Sequence, residues 1–377
     1  MVHQGSELYG SDRSFVSALR ALRERHPDAV IDVVLPEAGP IVDHVASYAS
    51  RIIYKSYGVL RNKEFKARPW QTFKRMIAGW LEYRRMFRSY QICYVNTVAC
   101  VAAIAALRGQ RAAGYVHVRE IPSSLACRVF RVLLKFSRAG LMYNSYATAA
   151  AFALPGDVIH NGVDVAGRAA VADAAQNRSR QRLAIIGRIN PSKGQQFVLD
   201  ALFTLGRQLP VQLRIVGDVS PDYEALLDTL RETARTCAQP VEIEGSTTNP
   251  GAHFAWADFV VVPSVQPESS GRVTIESFAY GRPVIAAAAG GLQEIVTDGV
   301  SGFLFVPGDI RDFLRVLGRA LAMTQDAYAE MANAAREKYL SAFTVETYMR
   351  SIADTVQPSL HDAQQTCEVA VLQREIH

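Results

Sequence analysis

Phe259-Val260-Val261-Val262-Pro263 closes an apolar run, and Glu268-Ser269-Ser270-Gly271-Arg272-Val273-Thr274-Ile275-Glu276 follows five residues later. Four apolar residues in a row, three of them β-branched, read as a strand buried on both faces of a parallel sheet. A helical pattern over 273–280 comes next, so the quoted stretch is a loop that opens a helix. Backbone N–H groups near Gly271 to Val273 lie at that helix start, where the dipole favours an anion. Gly271 lets a ligand approach the backbone closely. Glu276 lies further along the helix, where a carboxylate can accept from both hydroxyls of a ribose, and Glu268 precedes the helix and can reach a sugar. The blander reading is a surface loop whose carboxylates merely complement the dipole, and the stretch by itself does not separate the two.

Upstream, a strand expected over 183–187 runs into Gly187-Arg188-Ile189-Asn190-Pro191-Ser192-Lys193-Gly194. Arg188 and Lys193 therefore stand at a strand's carboxyl end. A guanidinium can fork onto phosphate oxygens and an ammonium adds a point charge, so the pair could hold a diphosphate. A turn with two solvated cations is the alternative. Downstream, Gly290-Gly291-Leu292-Gln293-Glu294 follows a strand expected over 284–287, again with glycines suited to close backbone approach.

Strands expected at 183–187, 212–216, 241–244, 259–262, 284–287 and 303–305 alternate with helices at 195–205, 223–236, 273–280 and 310–323. This is the signature of a doubly wound parallel sheet, whose ligands bind beyond the strands' carboxyl ends. The first half repeats the pattern less cleanly, with strands expected over 29–35, 51–54, 92–96, 114–118 and 141–144. Helices are expected over 70–90 and 125–136, and another from an N-cap at Ser11, with Phe15, Ala18, Leu19 and Leu22 on one face. Before it, only Val2 and His3 stand where a full first strand is expected: either the strand is very short or the start lies downstream of the natural one, and the second is the preferred expectation. The fold class is thus α/β, with two Rossmann-like doubly wound domains facing a cleft: 1–165 and 183–345. A linker of Ala, Asp, Asn, Arg and Gln spans 166–182, and 346–377 is a C-terminal helix with a polar tail.

The chain has 377 residues, a formal net charge of +5 and five cysteines without Cys-x-x-Cys spacing. The charge is too small to argue for nucleic acid. The cysteines suggest neither a disulfide framework nor a zinc site. The longest apolar run, 98–107, is too short to span a bilayer. A cytoplasmic protein is the expectation, with a contact at the inner face of a membrane left open.

Taken together, these elements resemble the GT-B glycosyltransferases, and within them the retaining family 4 group (glycosyl transferases group 1). The resemblance rests on Gly-Arg-Ile-x-x-x-Lys-Gly at 187–194, Glu-x7-Glu at 268–276, Gly-Gly-x-x-Glu at 290–294 and Asp-Gly-x-x-Gly at 298–302. It extends to Leu8-Tyr9-Gly10-Ser11-Asp12-Arg13, which looks like the family's glycine loop, and to Asn161-Gly162-Val163-Asp164 before the linker. The resemblance implies a hexosyltransferase-type enzyme that is retaining and metal-independent, with no cofactor. Glu276 would hold the donor ribose, Glu268 the hydroxyls of the transferred sugar, and Arg188 and Lys193 the diphosphate. Gly10, Gly271, Arg272 and Val273 would complete the donor site, and His117 would lie near the donor sugar, with His117, Glu268, Arg188 and Lys193 as the catalytic set. Two positions depart from the family pattern: Ser270 stands where an aromatic is usual, and Tyr9 replaces the first glycine of the usual pair. The implied partners are a nucleotide-sugar donor and a glycan or lipid-linked acceptor.

Residues 51–90 carry eleven Lys or Arg against two acids, Glu64 and Glu82. Trp70, Phe73, Ile77 and Trp80 recur there at helical spacing. Basic and aromatic residues together suit an anionic membrane surface, whereas a helix packed on a sheet with solvated cations outside is the plainer reading. Rival functions are a non-catalytic two-domain protein that binds a sugar or nucleotide sugar, and a GT-B epimerase. A nicotinamide-dependent enzyme would need Gly-x-Gly-x-x-Gly after a first strand, which neither 5–10 nor 187–189 provides.

Overall fold

Strands built from uninterrupted apolar residues must be covered on both faces, and the computed structural model shows how that is met. It describes residues 1–56, 58–60, 68–165, 180–206, 208–220, 223–247 and 249–358. Most of the expected linker, the tail beyond 358 and residues 61–67 of the basic segment lie outside the described residues. The chain divides into two compact units, Met1–Asn161 together with the segment from Val345, and Gly162–Thr344.

The first unit runs α1 (Gly10–Arg25), β1 (Asp32–Leu35), α2 (Ile41–Ala46), β2 (Arg51–Tyr54), α3 (Pro69–Met86), β3 (Ile92–Asn96) and α4 (Val101–Ala106). It continues with β4 (Ala113–Val118), α5 (Ser124–Ser137), β5 (Gly140–Tyr143), α6 (Tyr146–Phe152) and β6 (Asp157–Val158). β1 and β2 pair in parallel, as do β3, β4, β5 and β6 in that order. Val2 joins the two ladders by parallel bridges to both Val34 and Val95. Its N–H donates to the Tyr94 carbonyl at 2.8 Å and its carbonyl accepts from Asn96 N–H at 2.9 Å. Met1 to His3 thus occupy the switch point of this sheet. β1 is shorter than the expected 29–35 because Val30 lies exposed and pairing with β2 begins at Asp32.

The second unit runs β7 (Gln181–Ile186), α7 (Gln195–Thr204), β8 (Val211–Val216), α8 (Glu224–Thr236), β9 (Val241–Glu244), α9 (Pro250–Trp256) and β10 (Phe259–Val262). It goes on through α10 (Arg272–Ala279), β11 (Val284–Ala287), α11 (Leu292–Ile295), β12 (Gly302–Phe305), α12 (Ile310–Leu321) and α13 (Gln325–Ala342). The sheet order is β12-β11-β10-β7-β8-β9, all parallel. Chain order reverses between β7 and β10, where such sheets place their ligands. All four residues of β10 are buried, as its β-branched run required. One core fills one face with Val198, Leu202, Phe313 and Leu317, and another fills the opposite face with Phe254, Ile275, Phe278 and Leu292.

After α13 the chain returns to the first unit as α14 (Val345–Thr355), which packs on α1. Tyr348, Met349 and Ile352 there share a core with Phe15, Leu19 and Leu22. Among the described residues, no helix is long and apolar enough to cross a membrane.

Candidate active site

The turn after β7 is shaped by one side chain. Asn190 Oδ1 accepts from the N–H groups of Ser192 and Lys193 at 3.0 and 3.2 Å, folding Pro191–Lys193 into a single 3-10 turn. Gly194 ends that turn at φ +74°, and a Cβ there would sit 2.0 Å from the Pro263 carbonyl oxygen. Only glycine allows the turn to lie against the segment leaving β10. The Ser192 carbonyl then accepts from Val265 N–H at 3.0 Å. The ends of β7 and β10 are thereby stitched together at the switch point.

Across this seam, Lys193 Nζ meets Glu268 Oε1 at 2.5 Å, and the Ser264 hydroxyl donates to the same oxygen at 2.5 Å. Glu268 is also held by its backbone. Its carbonyl accepts from Gly291 N–H at 2.7 Å, and it forms a parallel bridge with Gly290. Gly290 adopts φ +61°, and a Cβ on it would lie 2.2 Å from the Glu268 carbonyl oxygen. The three motifs, 187–194, 268–276 and 290–294, are therefore one assembly built around Glu268.

Gly271 is the N-cap of α10, whose first residues are Arg272 and Val273. Together with Lys193, Glu268 and Gly187, all three line an open pocket over the ends of β7 and β10. Of the other residues expected at the site, Glu276 is not in this lining. Its carboxylate accepts from Arg272 Nε at 2.9 Å, one turn further along α10. Arg188 is exposed, with its carbonyl accepting from Gln195 Nε2 at 3.0 Å. Ser270, standing where an aromatic was expected, contributes to the pocket wall.

Gly10 and His117 belong to the first unit. Gly10 is the first residue of α1, not part of an open loop, and the N-cap is Tyr9, not Ser11 as expected. Asp12 moves the helix start forward: its carboxylate accepts from Tyr9 N–H at 2.8 Å and meets His3 Nε2 at 2.7 Å. His117, on β4, is wholly buried. Its Nδ1 lies 2.8 Å from the Tyr94 hydroxyl and 3.2 Å from Arg119 Nη2. A guanidinium can only donate, so Nδ1 accepts and Nε2 carries the proton. Nε2 has no hydrogen-bond partner. Burial, and then the Arg119 charge, hold the imidazole well below its ordinary pKa, and the ring is neutral.

Sequence reasoning missed Ser264, whose signal was a hydroxyl residue two positions past β10 and four before Glu268. It also missed the buried cation Arg119, which donates to Asn96 Oδ1 at 2.5 Å, Asn161 Oδ1 at 2.7 Å and the Tyr348 hydroxyl at 2.7 Å. Among the described residues, no three His, Cys, Asp or Glu side chains gather as metal ligands would. On α3, Trp70, Phe73 and Ile77 are exposed, so they are not the face by which the helix packs on the sheet. Trp80 differs: it is half-buried against the core, with the Arg84 guanidinium 5.8 Å from its ring centre.

Residues 180–323 match the family model described as glycosyl transferases group 1. The matched residues lie within the second unit. The match spans its switch point, with Lys193, Glu268 and Gly290 all inside it. The chain is 33% identical over 228 residues to D-inositol 3-phosphate glycosyltransferase of Mycobacterium leprae (strain Br4923), covering 54% of this chain and 51% of that protein. The chain thus spans about half the length of the curated relatives it matches. The whole fold resembles that of Anabaena Alr3699/HepE, solved in complex with UDP and glucose. The TM-score is 0.74 at 22% identity, over 94% of this chain and 97% of that one. It also resembles WaaG, a glycosyltransferase involved in lipopolysaccharide biosynthesis. There the TM-score is 0.65 at 15% identity, over 94% and 99% of the two chains. The fold is therefore of the GT-B type, and the family-model match falls in its second Rossmann-like unit.

Proposed function

We propose that the protein is a retaining, metal-independent glycosyltransferase of the family 4 type. It moves a hexose-type sugar from a nucleotide-sugar donor to a glycan or lipid-linked acceptor. The observation that carries this reading is the group of Lys193, Glu268 and Ser264 at the β7–β10 switch point, facing the start of α10.

In this reading Lys193 and Arg188 take the diphosphate, and the N-terminal end of α10 at Gly271, Arg272 and Val273 adds a fixed positive dipole. These groups stabilise the charge that develops on the leaving oxygen, the task a metal ion performs elsewhere. A diphosphate so held needs no general acid. Glu276 turns from Arg272 to accept the ribose hydroxyls. Glu268, held by Lys193 and Ser264, accepts from hydroxyls of the sugar. In the first unit Gly10 would offer backbone to a phosphate, and His117, wholly buried among Tyr94, Arg119 and Tyr348, would have to be uncovered before its Nε2–H could reach a sugar. The bond between C1 and the diphosphate oxygen breaks. The acceptor oxygen bonds to C1 on the same face, and its proton passes to the departing diphosphate.

UDP is the first base to try, because the Anabaena protein was solved with it. A phosphorylated polyol is the first acceptor, because of the mycobacterial relatives' name. The protein works at the cytoplasmic face of a membrane, in contact through the basic segment 51–90, of which α3 is the described helix. The test is a thermal-shift and calorimetric screen of UDP-, GDP- and ADP-sugars with EDTA present, on the wild type and Glu276→Ala. One nucleotide family should stabilise the wild type and not the variant. A folded wild type that binds none of them removes the reading. Binding without transfer or donor hydrolysis would favour a binding protein, and an altered nucleotide sugar an epimerase.

A further inference from the structure

We propose that the ion pair between Arg272 and Glu276 couples recognition of the donor's ribose to recognition of its diphosphate, with the Arg272 guanidinium as a further cation for the phosphates. This rests on the donor site proposed above, to which Arg272 so far contributed only the start of α10.

Two ion pairs at the pocket are built alike. Lys193 Nζ meets Glu268 Oε1 at 2.5 Å, and Arg272 Nε donates to Glu276 Oε1 at 2.9 Å. Each joins a cation that lines the pocket to a carboxylate that the donor reading assigns to hydroxyl groups. A nucleotide sugar brings the complement of both, anionic oxygens for the cations and hydroxyls for the carboxylates. Binding is then an exchange of partners that leaves no charge alone.

The second pair runs against its own helix. Arg272 is the first residue of α10, and the first turn carries no acid. The dipole disfavours a cation there, and an i, i+4 pair is stronger with the acid first than with the base first. Helix stability therefore does not account for this order of charges. An anion over the helix start does, because the dipole and the guanidinium then act on it together. A further contact keeps the guanidinium at that end, where Nη1 reaches the Gly162 carbonyl at 3.5 Å.

Burial supplies the coupling. The side chains of Arg272 and Glu276 are 16% and 19% exposed. A ligand that takes only one of them leaves the other half-buried without its partner, which costs more than separating a solvated pair. Ribose alone strands the guanidinium, and a diphosphate alone strands the carboxylate. A nucleoside diphosphate satisfies both, so its two halves favour one another's binding and each fragment by itself binds weakly.

The experiment is calorimetry of the full chain with EDTA present. The ligands are inorganic pyrophosphate, and the nucleoside and nucleoside diphosphate of the base found in the nucleotide-sugar screen. The proteins are the wild type, R272L, R272K, E276A, E276Q and R272L/E276A, each first shown to be folded by its melting temperature. E276A and E276Q should bind pyrophosphate about fivefold tighter than the wild type, and R272L should bind the nucleoside tighter by about the same factor. R272K should return nucleoside affinity toward that of the wild type. In R272L/E276A the gain in pyrophosphate affinity over R272L should vanish, because no guanidinium remains to be released. A pair that only supports the helix gives no gain with either fragment, and that result overturns the proposal. A gain in R272L/E276A as large as in E276A assigns the effect to simple repulsion by the carboxylate and overturns it too. A wild type that binds neither nucleotide nor pyrophosphate removes the donor site itself, whereas nucleotide binding without either gain removes the coupling alone.

Discussion

At the scale of single residues, the site depends on how Glu268 is held. Its carboxylate meets Lys193 and Ser264, and its backbone leans on Gly290. Ser264→Ala removes one of the two side-chain partners. It should lower kcat/KM about tenfold, or about 1.4 kcal/mol of transition-state stabilisation, with Ser264→Thr retaining most of the activity. Steady-state kinetics with the donor found in the nucleotide-sugar screen would check this. Gly290→Ala acts differently. A methyl group 2.2 Å from the Glu268 carbonyl, on a backbone at φ +61°, cannot be accommodated without moving the loop. It should cost about 2 kcal/mol or more of stability and abolish donor binding, as chemical denaturation and calorimetry would show.

At the scale of elements, the helices of the second unit begin where short polar side chains replace missing backbone partners. Asp309 is the N-cap of α12, its carboxylate accepting from Asp312 N–H at 3.0 Å. Asp309→Ala should lower stability by about 1 kcal/mol and leave donor binding intact, since the cap lies away from the pocket. The start of α10 shows the contrast. Its N-cap is Gly271, with no side chain to cap it, and that helix end lines the pocket. α1 was legible from the spacing of Phe15, Ala18, Leu19 and Leu22, but its start was not. Asp12 had to be seen bound to Tyr9 N–H and His3 before Ser11 could be set aside as the cap.

At the scale of the whole molecule, buried polar groups tie distant parts of the first unit together. Tyr348 of α14 accepts from Arg119 and donates to the Ser14 carbonyl at 3.0 Å, linking the returning helix to β4 and α1. Tyr348→Phe leaves a buried guanidinium one acceptor short and should destabilise the protein by about 1–3 kcal/mol in chemical denaturation. Acid should weaken the same unit. Burial, the largest cause in each case, lowers the pKa of His117 and of His3, although Asp12 partly opposes it at His3. Both are neutral when folded, while in the unfolded chain they take up protons near pH 6.5. Between that pH and the folded pKa values the unfolded state binds more protons, so stability is full above about pH 6.5 and falls as pH drops. The slope is at most about 1.4 kcal/mol per pH unit for each histidine. Thermal melts from pH 8 to 5 should show this decline, and His117→Gln should make it shallower.

The sequence alone determined the periodic part of this protein. Runs such as Phe259 to Val262 are apolar without interruption because parallel strands are buried on both faces, so the doubly wound architecture was readable from them. Lys193, Glu268 and Gly271 were readable as candidates because they stand just past such strands, where the topology opens, and all three line the pocket there. What depends on meeting across the chain was decided by tertiary structure alone. Ser264 and Gly290 reach Glu268 only once β7, β10 and β11 are neighbours. His117, expected beside a ligand, is enclosed because Tyr94, Arg119 and Tyr348 converge on it from three separate segments. On α5 the pattern of apolar residues runs around two sides of the helix. Local periodicity records that both stripes exist, and only packing against α4 and the sheet decides that Cys127 and Leu134 are buried while Leu125, Val129 and Val132 face outward.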